Sequence, residues 1–197
     1  ILIIDDSIEE KPYTDENDIV SWHYDHSKDR LLKGINFLTA LYTSQAVSLP
    51  VGFHLIAKTE TYLDPKTQKE KRRSPVSKNE SCRELIKQAV ANLVPFQFVV
   101  FDVWFASGET MIFIKQEQQH DFICPLKTNR KVALSVADKH QGRYTRVDTL
   151  GLEANTPRII YLDGVDFPLL LVKQVLTNED GSLGILYLVS SDTTVSV

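Results

Sequence analysis

Apolar residues in this chain come in short runs separated by polar stretches, and most runs have the length of a strand rather than a helix. Residues 1–4 are all apolar and close on Asp5 and Asp6, which predicts a buried strand with acids at its C-terminal end. Residues 9–30 are polar, carry Pro12, Asp15, Asn17 and Asp18, and predict a long loop. Residues 34–42, with Ile35, Phe37, Leu38, Ala40, Leu41 and Tyr42, predict a strand; Gln45 and Ser48 lie near a turn, and residues 50–56 complete a hairpin. Residues 60–78 predict a polar, basic loop. Ser77-x-x-Glu80 then has the spacing of a capping box, and Cys82, Leu85, Ile86, Ala89, Val90 and Leu93 recur at helical spacing until Pro95.

The second half begins with a nearly continuous apolar run, residues 96–101, that ends at Asp102 and predicts a central, buried strand. Residues 106–119 suit a helix capped by Ser107, and residues 122–126 form another strand that runs into Lys127-Thr128-Asn129-Arg130-Lys131. Residues 144–150, 158–162, 169–176 and 183–189 predict further strands, with a hairpin turn at residues 178–181. Three antiparallel strands followed by helix-linked strands predict an α/β fold, a mixed sheet with flanking helices. There is no internal repeat and no low-complexity segment.

Composition narrows the class without choosing a function. The 197 residues are 43% apolar and 24% charged, which excludes collagen-like and largely disordered chains. No stretch approaches 18 uninterrupted apolar residues, so no membrane span is expected. Cys82 and Cys124 are too few for a disulfide framework, and a reducing cytoplasm is the expected compartment. The first residues lack an initiator Met and a signal peptide's basic region, so the opening run reads as a strand cut from a longer protein.

The net charge of −4 conceals a segregated distribution. Residues 1–30 carry net −6 and residues 148–197 net −5, whereas residues 66–78 and 127–146 each carry net +5. Two basic islands in an acidic chain suit local grip on a polyanion, although each also reads as a solvated loop. Aspartates at the ends of buried strands need something to offset desolvation, and hard divalent cations such as Mg²⁺ take carboxylate oxygens in that role. Turn formation and capping are the alternative for the same residues. His23 and His26, with Asp25 between them, lack the further partners of a zinc site and read as loop residues. Cys82 reads as core. Trp104 and Phe105 read as a stacking surface or as core.

The blocks Phe98–Phe101 with Asp102-Val103-Trp104-Phe105-Ala106-Ser107, and Ile3-Ile4-Asp5-Asp6-Ser7, resemble the two aspartate strands of bacterial insertion-sequence transposases of the DDE class. Trp22-His23-Tyr24-Asp25-His26-Ser27 leading to Lys33-Gly34-Ile35-Asn36 resembles the approach to their second strand. Asp121-Phe122-Ile123-Cys124-Pro125-Leu126-Lys127-Thr128-Asn129-Arg130 resembles their fifth strand and its basic exit.

The resemblance implies a ribonuclease-H-like catalytic core over residues 1–131, a β-rich insertion over 132–190, and the start of a connection over 191–197. It implies cut-and-paste strand cleavage and transfer on double-stranded DNA, transposon ends and target alike, with two Mg²⁺ or Mn²⁺ ions. It also implies a nucleoid-associated protein, open to homodimer formation at full length. Asp102 takes the second catalytic and metal-binding position. Asp6 is preferred for the first because a small hydroxyl residue follows it, with Asp5 the alternate; adjacent strand residues point to opposite faces, so one of them is chosen. Lys71, Arg72, Arg73, Lys127, Asn129, Arg130 and Lys131 are the expected DNA-backbone contacts, and Trp104 a base-stacking one.

The chain departs from that family in one respect. No segment matches its Tyr-x-x-Arg-x-x-x-Glu-x-x-x-x-x-x-Lys helix, which carries the third acid, and Glu153 and Glu179 match no motif. The expectation is therefore the middle of a transposase, truncated at both ends, holding a weakened metal site and unable to turn over. The competing expectations are a stand-alone nuclease of the same fold and a non-catalytic DNA-binding remnant.

Overall fold

The computed structural model describes residues 1–25, 28–178 and 180–195. His26 and Glu179 lie outside the described residues. The chain divides into two compact units, one of residues 3–94 and the other of residues 95–197 with Ile1 and Leu2.

The first unit is built on β1 (Leu2–Glu10), β2 (Val20–Asp25), β3 (Arg30–Thr43) and β4 (Ser48–Leu55). β3 is the organising strand: β1 lies on one side of it, and β2 and then β4 pair antiparallel with its two halves. Its burial alternates along most of its length, with Leu32, Gly34, Asn36, Leu38 and Ala40 inward. At Gly34 the backbones crowd so closely that a Cβ would sit 2.3 Å from the Glu9 carbonyl oxygen, so only glycine fits. The register of β3 with β4 slips between Ala40 and Leu41, a bulge beside Pro50, which has no N–H for the ladder.

Three expectations are corrected here. β1 does not end at residue 4 but runs through both acids to Glu10. Residues 9–30 are not one loop: Val20, Trp22 and Tyr24 alternate with polar residues, and pairing with β3 makes residues 20–25 β2. Residues 60–78 are not a loop but a hairpin, β5 (Glu60–Leu63) and β6 (Glu70–Arg73). Its turn is an Asx-type turn, with the Asp64 carboxylate accepting from the amides of Lys66 and Thr67 at 2.9 and 3.4 Å.

The helix α1 (Lys78–Ala91) follows the sequence reading closely. Ser77 caps it, and Glu80 returns a bond to the Ser77 amide at 2.7 Å. Cys82, Leu85, Ile86 and Ala89 are buried against β3 and β4. Leu93, expected on that apolar face, instead lies past the helix with a positive φ and is 87% exposed.

The second unit contains β7 (Phe98–Phe101), α2 (Gly108–Ile112), β8 (Asp121–Leu126), β9 (Lys131–Ala133), α3 (Val136–His140), β10 (Thr145–Arg146), β11 (Arg158–Leu162), β12 (Leu169–Thr177) and β13 (Leu183–Ser190). Its strand order is β10-β9-β11-β12-β13-β8-β7. β7 and β8 are parallel, with Val99 opposite Phe122, and the rest are antiparallel. Ser107 caps α2 as expected, and the helix widens into a π-helical segment over Phe113–Glu117. Residues 144–150 give only the two-residue β10 before a 3₁₀ turn, while β9 and α3 carry no sequence signal long enough to read. Ser191 ties the end of β13 back to β8, its hydroxyl accepting from the Phe122 amide at 3.0 Å.

Candidate metal and nucleic-acid site

The parallel register of β7 and β8 brings their carboxyl ends to the same edge of the second unit. Asp102 follows β7 there, exposed, and caps the 3₁₀ turn Val103–Phe105, one carboxylate oxygen accepting from the Val103 amide at 2.6 Å. Lys127 follows β8. Together they line a concavity of about 650 Å³ with Thr128, Asn129 and Arg146. An adjoining one of about 420 Å³ is lined by Trp104, Lys127, Asn129, Arg130 and Lys131. This edge therefore gathers the exit residues of β7 and β8 that the sequence singled out, Asp102, Trp104, Lys127, Asn129, Arg130 and Lys131.

The two aromatic residues after Asp102 separate cleanly. Phe105 is core, 2% exposed, whereas Trp104 is half exposed and carries the Lys127 ammonium 4.6 Å from its ring centroid. Among the described residues, no carboxylate forms an ion pair with Lys127, Arg130 or Lys131. Arg146, which the sequence did not single out, lies directly opposite Lys131 in the antiparallel register. Like charges so placed repel, and Asp148 offsets the repulsion by holding Arg146 through two bonds of 3.0 and 2.5 Å.

In the other basic island, Lys71, Arg72 and Arg73 are each paired within their own unit. Lys71 pairs with Asp64; Arg72 reaches Glu16 at 3.1 Å and Asp18 at 3.7 Å; Arg73 pairs with Glu60 at 3.0 Å and sits over the Tyr62 ring. The Lys71 ammonium and the turn amides hold the Asp64 carboxyl down to about 2. The acidic N-terminal stretch and this hairpin are thus counter-charges for one another.

Asp6 and Asp5 occupy alternate positions on β1, both exposed at residue level. Asp6 shares the parity of buried Ile4, and it alone of the two has a built surround. Its carboxylate accepts from Asn36 Nδ2 on β3 at 2.5 Å and from Lys78 Nζ at the start of α1, also at 2.5 Å. Asn36 is fully buried and donates its second N–H to the Ser7 carbonyl at 3.0 Å. Behind them on β2, the Ser21 hydroxyl and His23 Nε2 share a 2.9 Å hydrogen bond. Burial, with Lys58 and Lys78 nearby, pushes the His23 imidazole down to about 4, so it is neutral at physiological pH. Asn36 was detectable as a polar residue at an inward strand position; Lys78 had no local signal.

Cys82 and Cys124 are buried free thiols, and burial pushes both upward, Cys82 to about 12. Among the described residues, no three or more His, Cys, Asp or Glu side chains gather as a metal-binding cluster. Among the described residues, no helix is long and apolar enough to cross a membrane.

The fold is a mixed α/β one with acids on and after its strands. The family model described as DDE superfamily endonuclease matches residues 1–150, and the chain belongs to that family. Its fold is accordingly the ribonuclease-H-like α/β arrangement that the sequence implied, and its family function is that of a nuclease acting on DNA. The search of curated proteins found no match.

Proposed function

We propose that the chain is the catalytic part of a DNA transposase that cleaves and joins transposon ends and target DNA with two Mg²⁺ or Mn²⁺ ions held by Asp6 and Asp102. The observation that carries this reading is the β7/β8 edge, where an exposed carboxylate stands beside cations that have no acidic partner among the described residues. An acid alone there would suit a cap. An acid beside Lys127, Arg130 and Lys131 suits a phosphodiester whose charge they meet.

The donor chemistry fits hard divalent ions. Both groups are carboxylates within reach of solvent, and Asp6 already accommodates a cation, the Lys78 ammonium. When bound, such ions would activate the attacking water or 3′ hydroxyl and stabilise the leaving oxygen. The chain's own residues do the rest. Asn36 orients Asp6, Lys127, Asn129, Arg130 and Lys131 grip the backbone, and Trp104 offers a face for an unstacked base. Asp5, on the opposite parity of β1, is left outside this role. Because no segment matches the helix of the third acid, the 197 residues should bind metal and DNA without robust turnover.

Mn²⁺ titration followed by electron paramagnetic resonance tests the two carboxylates. Asp6→Asn and Asp102→Asn should each weaken binding severely. An Asp102→Asn or Asp6→Asn protein that binds Mn²⁺ normally would overturn the reading. So would vigorous Mg²⁺-dependent DNA cleavage by this chain alone, which would point to a complete nuclease.

A further inference from the structure

The surround of Asp6 contains two donors of different character. Asn36 is buried to 0% exposure, and both its N–H groups are engaged, one by the Asp6 carboxylate and one by the Ser7 carbonyl of the same strand. Its Oδ1 is buried and has no hydrogen-bond partner. A flipped amide would turn that oxygen toward two acceptors, so the donations fix its orientation, and an orphaned acceptor is left as the cost. A side chain retained under those conditions is held for the carboxylate it aims.

Lys78 differs in every respect. It is the first residue of α1, where the helix dipole disfavours a cation, and Glu80 in that first turn is already engaged by the Ser77 amide. Its side chain is 39% exposed and reaches Asp6, 72 positions earlier in the chain. Asp6 is the acid that compensates it.

We propose that Asn36 and Lys78 act on Asp6 in opposite senses: Asn36 is a positioning residue that aims the carboxylate at a divalent ion, and Lys78 is a resident counter-cation that the ion must displace. This rests on the reading of Asp6 as a metal ligand. An ammonium 2.5 Å from the carboxylate neutralises it before metal arrives, and it cannot stay beside a doubly charged ion without strong repulsion. The clamp keeps an acid-bearing site folded and neutral until it is loaded.

The test is Mn²⁺ binding to the full chain, with folding checked by circular dichroism and thermal melting. Lys78→Gln should tighten binding, roughly two- to five-fold, because a half-exposed ion pair is lost. Lys78→Arg should retain the wild-type affinity. Asn36→Ala should weaken binding roughly 10- to 100-fold, the usual effect of removing a support to a metal ligand. Mn²⁺ should also raise the rate at which an amine-reactive reagent labels Lys78, read by mass spectrometry. Weaker binding in Lys78→Gln, or labelling of Lys78 that does not respond to Mn²⁺, overturns the counter-cation; unchanged affinity in a folded Asn36→Ala overturns the positioning role. Asp6→Asn separates the two levels. If it abolishes Mn²⁺ binding while the other variants behave as wild type, only the clamp fails. If it has no effect, the metal reading of Asp6 fails and the clamp with it.

Discussion

The hairpin of residues 60–73 and the strand exit of residues 127–131 are both basic in sequence, yet the fold treats them in opposite ways. In the hairpin, Lys71, Arg72 and Arg73 are matched to Asp64, Glu16, Asp18 and Glu60. At the strand exit, Lys127 rests on Trp104, and Arg130 and Lys131 have no carboxylate partner among the described residues. By net charge the islands that contain them, residues 66–78 and 127–146, are equals at +5 each, while counter-charges separate Lys71, Arg72 and Arg73 from Lys127, Arg130 and Lys131. A cation that already has a partner must give it up to bind phosphate, so Lys127, Arg130 and Lys131 offer a polyanion a larger net gain than Lys71, Arg72 and Arg73.

The sharpest way to break this contrast is to remove each set of cations. Lys127→Ala, Arg130→Ala and Lys131→Ala together should lower affinity for duplex DNA roughly 100-fold at low salt and reduce the salt slope by about 2 to 3. The corresponding triple change in the hairpin should leave that slope nearly unchanged. Equal losses in fluorescence anisotropy titrations would erase the distinction.

His23 gives the next largest effect, because burial first, and the Lys58 and Lys78 charges after it, disfavour a positive charge there. Its folded value of about 4 lies below its ordinary 6.5. The unfolded chain therefore takes up the proton first as pH falls, and stability contributed by the neutral imidazole is present above about 6.5 and lost between there and 4. The loss should reach roughly 2 kcal/mol at pH 4.5, measured by urea unfolding, and His23→Gln should flatten that limb.

A converse experiment makes the hairpin resemble the strand exit. Glu16→Gln, Asp18→Asn and Glu60→Gln together release Arg72 and Arg73. DNA affinity should then rise about ten-fold, with a steeper salt dependence. An unchanged affinity would show that the hairpin is far from any DNA path, paired or not.

The smallest effect is local. Asp64 should titrate near 2 in carboxyl-carbon NMR, and Lys71→Gln should move it back toward 3.8. Since the folded value is the lowered one, the contribution of this pair is present above about 3.8 and is lost as pH falls through 2.

Much of the frame was legible before any coordinates. The capping box at Ser77 and Glu80, the apolar run into Asp102 and the strand of residues 122–126 are local patterns with local causes, and each marked an element, although the strand of the run starts only at Phe98. The strands that were missed share one origin. The extension of β1 through Asp5 and Asp6 and the β5/β6 hairpin are polar segments, and β2 is a short mixed one inside a polar stretch; pairing makes each a strand. Their hydrogen-bond partners lie far away in sequence or across a tight turn, so periodicity carries no trace of them.

The same division holds for the candidate site. The sequence alone determined which residue types were available: acids on or after apolar strands, a basic run after β8, an aromatic pair after Asp102. Tertiary structure decided which of them are engaged, because an ion pair or a buried amide depends on distance in space. Only the fold could set Lys78 and Asn36 against Asp6, match the hairpin cations to acids as far as 56 positions away, and leave Lys127, Arg130 and Lys131 without carboxylate partners among the described residues.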